Sequence, residues 1–97
     1  SYGGIVIVKY VTSSTFDSDY KSLPLEIQNE FKKKIKLIFN KPIPKKLRFE
    51  KLSGFRNPNI YTIHITSNHS HKLSMEILDG VATLRRISTH KTIDRKP

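Results

Sequence analysis

From Ile60 onward the chain alternates with a period of two. Tyr61, Ile63 and Ile65 interleave with Thr62, His64 and Thr66, and then Leu73, Met75 and Ile77 with Lys72, Ser74 and Glu76. Successive side chains of a strand point to opposite faces, so each segment predicts a strand with one apolar and one polar side. Asp79-Gly80 is a tight-hairpin signal and leads into a further strand over Val81 to Ser88. A one-residue slip would bury Lys72 and Glu76 and expose Leu73 and Met75, so the register is constrained and His64 and Lys72 must share the polar face. Adjacent residues of a strand face opposite ways, so only one of Arg85 and Arg86 is expected there.

The apolar face of such a sheet needs a cover, and the first half of the chain supplies it. Ile5 to Val11 is β-branched and aromatic with little alternation, which predicts a central strand. Ser14 and Asp17 have the spacing of a capping box. Phe16, Tyr20 and Leu23 then mark one helical stripe. After Pro24, Ile27, Phe31, Ile35 and Ile38 mark a second, with Asn29, Lys32, Lys33 and Lys36 on its far side. Asn40-Lys41-Pro42 ends that helix. Ile43 to Asn59, with two prolines and Gly54, reads as a surface connection pinned by Leu47, Phe49 and Leu52. The predicted order is β-α-α-β-β-β: an α+β fold with an antiparallel sheet, a helix hairpin on one face and an open polar second face.

Ninety-seven residues suit one domain spanning 1–97. Eighteen Lys and Arg against eight Asp and Glu leave a net charge of +10, which favours a polyanionic partner. Nucleic acid is the default, although an anionic membrane surface or an acidic protein satisfies the same electrostatics. The absence of cysteine excludes disulfides, thiolate nucleophiles and cysteine-ligated metal. The longest purely apolar run, Ile5 to Val8, is too short for a membrane helix, and a cytoplasmic protein is expected. Ser1 stands where an initiator Met would be, as in a processed N-terminus.

Taken in order, several segments resemble the RelE/ParE superfamily of bacterial toxins from toxin–antitoxin pairs. They are Phe16 followed by Leu23-Pro24, the lysine-rich helix ending in Asn40-Lys41-Pro42, Glu50-Lys51-Leu52-Ser53-Gly54, Ile60 to Ile65, Lys72-Leu73, and Arg86-Ile87 leading to His90-Lys91. The resemblance covers nearly the whole chain. It implies a RelE-like toxin that cleaves messenger RNA in the ribosomal A site without a metal or other cofactor and is neutralised by an acidic antitoxin. The ParE branch instead poisons DNA gyrase, and a basic RNA-binding protein without catalysis is a third reading. Carried over by position, the resemblance implies catalytic roles for His64, Lys72, Arg86, His90 and Lys91, and RNA contacts from Lys51, Arg56, Thr62 and Arg85. Thr62 stands where a lysine is frequent in the family, Lys72 where an arginine is usual, and Ile93-Asp94 where a tyrosine often follows.

The chemistry of metal-free RNA cleavage asks for the same residue types. The 2′-OH must lose a proton, the phosphorane's added charge must be stabilised, and the leaving 5′ oxygen must gain a proton. Histidine serves either proton transfer near neutral pH. His64 is equally compatible with a solvated histidine on an open strand. His69-Ser70-His71 has a spacing that would suit zinc, but it lies in a turn-like segment with no carboxylate or cysteine nearby, and no metal is predicted. Glu50 would serve as a general base, although neighbouring Lys51 argues for a screened surface pair. Tyr61 belongs by alternation to the core.

Overall fold

A computed structural model describes residues 4–97; the Ser1 expectation falls outside them. The element order is β1 (Lys9–Thr12), α1 (Ser14–Lys21), α2 (Leu25–Lys34), β2 (Glu50–Lys51), β3 (Tyr61–His64), β4 (His71–Leu78), β5 (Val81–Thr89) and α3 (His90–Arg95). The five strands form one sheet in the order β1-β5-β4-β3-β2. The fold is α+β with helices packed on a sheet, as expected, and two features differ from the reading above. The β1–β5 pairing is parallel, so the sheet is mixed. The chain also ends in a third helix, α3.

The helix pair forms where its stripes lie. Ser13 caps α1, one residue earlier than the sequence spacing suggests, its hydroxyl accepting from the Phe16 amide at 3.0 Å and donating to the Arg85 carbonyl at 3.0 Å. The cap therefore also ties α1 to β5. Phe16, Phe31, Ile35 and Ile38 are buried against Ile63, Leu73, Met75, Leu84 and Ile87 of the sheet, and the Phe16, Tyr20 and Phe31 rings meet at 5.4 to 5.8 Å. The chain continues from α2 as a 3-10 turn over Ile35–Phe39. In the long connection Leu47 is fully buried, and Phe49 stacks on Tyr61 at 5.4 Å.

Ile5 to Val11 is not a central strand. Only Ile7 in it is buried; the strand begins at Lys9, pairs on one side alone, and leaves Val8 67% exposed. Its β-branched composition fits an extended backbone, but parallel pairing with β5 places it outermost, and two central strands had already come from the hairpin. Asp79 and Gly80, at φ 50° and 79°, make the predicted tight turn.

The second face of the sheet is polar, but it is not open. Two rows of paired residues cross it: Glu50, Thr62, Ser74 and Arg86 in one, His64, Lys72 and Ser88 in the other. α3 folds back over them, burying Ile93 completely and leaving Thr62 and Ser74 without exposed surface. The Ser74 hydroxyl donates to the Pro97 carbonyl at 3.3 Å. Apolar surface on a six-residue terminal helix gave too short a pattern to register as a helical stripe.

Candidate active site

Register delivers His64 and Lys72 side by side. They are direct partners on β3 and β4, as the alternation required. β5 then ends at Thr89, whose hydroxyl caps α3 by accepting from the Thr92 amide. The turn into the helix is pinned by the His90 amide donating to the Ser70 carbonyl at 2.9 Å. This brings the His90 ring to 5.6 Å from that of His64.

The centre of the cluster is a residue the sequence reading passed over. Asp94 lies one helical turn after His90, so both side chains project from the same side of α3. One carboxylate oxygen accepts from Lys72 Nζ at 2.7 Å and the other lies 2.9 Å from His90 Nδ1. Lys72 is only 2% exposed, and Glu50 Oε1 stands 4.0 Å from the same ammonium. Glu50, read as a screened surface residue beside Lys51, thus belongs to the cluster. Strand alternation explains the difference, since it sends Glu50 to the polar face and Lys51, which pairs with Tyr61, to the other.

His69 also joins. Its turn, at φ 62°, presents Nδ1 to His64 Nδ1 at 2.7 Å with the rings edge to face. One of these nitrogens must carry the shared proton. Burial first, and then the charges of Lys72, His69, His90 and Arg48, lower the His64 pKa to about 4. His64 is therefore neutral near pH 7, as its burial and its basic neighbours both require. No group of His, Asp and Glu with the geometry of a metal site occurs among the described residues.

The other sequence-derived residues lie elsewhere. Thr62 is fully buried beneath the C-terminal segment, and its hydroxyl has no partner among the described residues. It offers no surface to RNA in this conformation. Lys51, Arg56 and Lys91 are exposed, Lys91 in the first turn of α3 beside the cluster. Arg85 and Arg86 share one face after all. The register slips between Ser74 and Met75 so that Ser74 faces Arg86 and Met75 faces Leu84, with Arg85 the extra residue of a β-bulge. Arg85 bonds to Glu76 and to the Pro97 carbonyl, and Arg86 reaches the Lys96 carbonyl at 3.5 Å while chelating Asp19 of α1 with two bonds of 3.0 Å. Those bonds raise the Arg86 pKa. Both arginines thus lie at the C-terminal end of α3, with His90 at its start.

Solved structures share this fold. The chain is similar to the RelB–RelE antitoxin–toxin complex from Methanococcus jannaschii, at 26% identity and a TM-score of 0.67, covering 90% of this chain and 99% of that one. It is similar to the DinJ–YafQ toxin–antitoxin complex of E. coli (18% identity, TM-score 0.70, 92% and 98% covered). An archaeal RelE–RelB complex from Pyrococcus horikoshii also matches (15% identity, TM-score 0.64, 88% and 96% covered). Neither the protein-family models nor the curated proteins yield a match. The architecture is that of the RelE-like toxins of type II toxin–antitoxin systems, which bears out the resemblance carried by the motifs. The toxins among these structures are RelE and YafQ, and the ParE alternative is not favoured.

Proposed function

We propose that this protein is the toxin of a toxin–antitoxin pair and acts as an endoribonuclease on messenger RNA at the ribosome. The supporting observation is the convergence of Lys72 and His90 on the single carboxylate of Asp94, with Glu50 and His64 alongside. An ammonium and an imidazole that hold one carboxylate are also placed to hold one phosphate. In the proposed reaction Glu50, 55% exposed where His64 is 8%, takes the proton of the 2′-OH. The 2′ oxygen bonds to phosphorus and the bond to the 5′ oxygen breaks. Lys72, now covered by Asp94, stabilises the phosphorane charge once a phosphate oxygen displaces Asp94 Oδ1 from it, and His90, oriented through Nδ1 by Asp94 Oδ2, gives a proton from Nε2 to the leaving oxygen. The products are a 2′,3′-cyclic phosphate and a 5′-hydroxyl. His64, itself bonded to His69, lies edge to face with the His90 ring. Arg56 and Lys91 are left as exposed phosphate contacts, and Lys51, on the opposite face of the sheet, is not one.

The proposed protein partner is an acidic, amphipathic antitoxin segment. The surface that suits its apolar side is the β1 edge, where Val6, Val8 and Val11 are exposed on a strongly basic protein. No helix among the described residues is long and apolar enough to cross a membrane. Induced expression in bacteria, with growth followed and transcript 5′ ends mapped, tests the nuclease reading. Growth arrest with new 5′ ends within coding sequence is expected for the parent and not for His90→Ala. Arrest without cleavage would overturn it.

A further inference from the structure

A cleft of about 580 Å³ opens at the other end of α3. It is lined by Arg85, Arg86, Arg95 and Lys96 and by Phe55 from the connection between β2 and β3. Four cations face one lining carboxylate, Glu76. That carboxylate is held by Arg85, and Asp19 holds Arg86. The charges of Arg85 and Arg86 are therefore matched locally, and those of Arg95 and Lys96, both exposed, have no ion-pair partner among the described residues. Such a volume matches an ordinary small-ligand site. An aromatic ring set among cations is the composition that binds single-stranded nucleic acid, the ring stacking on a base and the cations following the backbone.

We infer that this cleft is a second RNA subsite, taking one nucleotide of the strand next to the cleaved linkage, with its base on Phe55 and its phosphate on Arg95 and Lys96. The inference rests on the nuclease reading for the identity of the strand. It accounts for two features that reading leaves unused. The bulge at Arg85 turns two consecutive arginines toward the cleft, and their fixed ion pairs and bonds to the Lys96 and Pro97 carbonyls hold the tail in place as a wall. α3, six residues long or about 9 Å, connects the two sites, with His90 at its start and Arg95 at its end. A strand lying along it would meet both.

The probe is a short 2′-O-methyl oligouridine, which blocks the attacking hydroxyl and leaves binding intact. Its affinity for the parent, Phe55→Leu, Phe55→Tyr and the double variant Arg95→Ala/Lys96→Ala is followed by fluorescence anisotropy over a salt series. Phe55→Leu should weaken binding about tenfold without changing the salt slope, and Phe55→Tyr should restore it. The double variant should reduce the log–log slope by about 1.4, at roughly 0.7 for each lost phosphate contact. Parent-like affinity and slope in both Phe55→Leu and the double variant would overturn the subsite even if the parent cleaves unmodified RNA. The expected losses in a parent that cleaves nothing would keep the subsite and remove the nuclease reading. A parent that binds no oligonucleotide would overturn the subsite, while the nuclease reading stands or falls by the transcript 5′ ends mapped after induced expression.

Discussion

The Lys72 ammonium and the Asp94 carboxylate meet at 2.7 Å across 22 residues of sequence, and the second oxygen of that carboxylate holds His90. Lys72 is almost entirely buried, so its charge is matched inside the protein rather than by water. In the proposed reaction a phosphate oxygen takes over part of what the carboxylate now does.

Asp94 variants separate charge from geometry. Asp94→Asn keeps an oxygen for His90 and removes the competing negative charge, so binding of the 2′-O-methyl oligouridine should tighten several-fold. Asp94→Ala removes both partners and leaves Lys72 buried without its nearest carboxylate. It should lower stability by about 1–2 kcal/mol, a partly solvated pair costing less than a fully buried one, and reduce cleavage at least tenfold. Denaturant titration and a cleavage assay check these outcomes. Weaker binding in Asp94→Asn would show that the carboxylate does not compete with phosphate.

The histidines predict a direction for acid sensitivity. Burial and basic neighbours lower the His64 pKa to about 4, and burial also lowers that of His71. The unfolded chain, with ordinary histidines near 6.5, then binds more protons than the folded one between about pH 4 and 6.5. Stability should be fully present above pH 6.5 and fall as the pH drops toward 4. Thermal melts from pH 4 to 8 measure the slope, which should be shallower in His64→Gln.

His69→Ala should move the His64 titration upward. The substitution removes a neighbouring imidazole whose charge lowers that pKa and opens the ring to water. Two-dimensional NMR of the His64 ring across pH reads the shift. An unchanged midpoint would mean that the Nδ1–Nδ1 contact does not persist in solution.

Thr62→Val should leave the fold intact and raise stability by about 1 kcal/mol. The hydroxyl is buried with no partner among the described residues, and valine has nearly its shape without the desolvated oxygen. Chemical denaturation measures the gain. Cleavage should be unaffected, whereas a direct RNA contact from Thr62 would make the variant slow.

The hairpin, the shared face of His64 and Lys72 and both helical stripes were legible in the sequence because each is a local period, and burial of one face allows only one register. The +10 charge likewise points to a polyanion from composition alone. Three things were decided only by tertiary structure. β1 lies at the edge because strand order is a matter of packing, and a β-branched segment carries no mark of how many neighbours it will have. Arg85 and Arg86 share a face because a bulge breaks the two-residue period, which no alternation pattern announces. The site itself closes through Asp94, one turn into a helix too short to show a stripe. Its carboxylate acquires meaning only when α3 folds back across the sheet, because water would otherwise match the charge of Lys72 that Asp94 now matches.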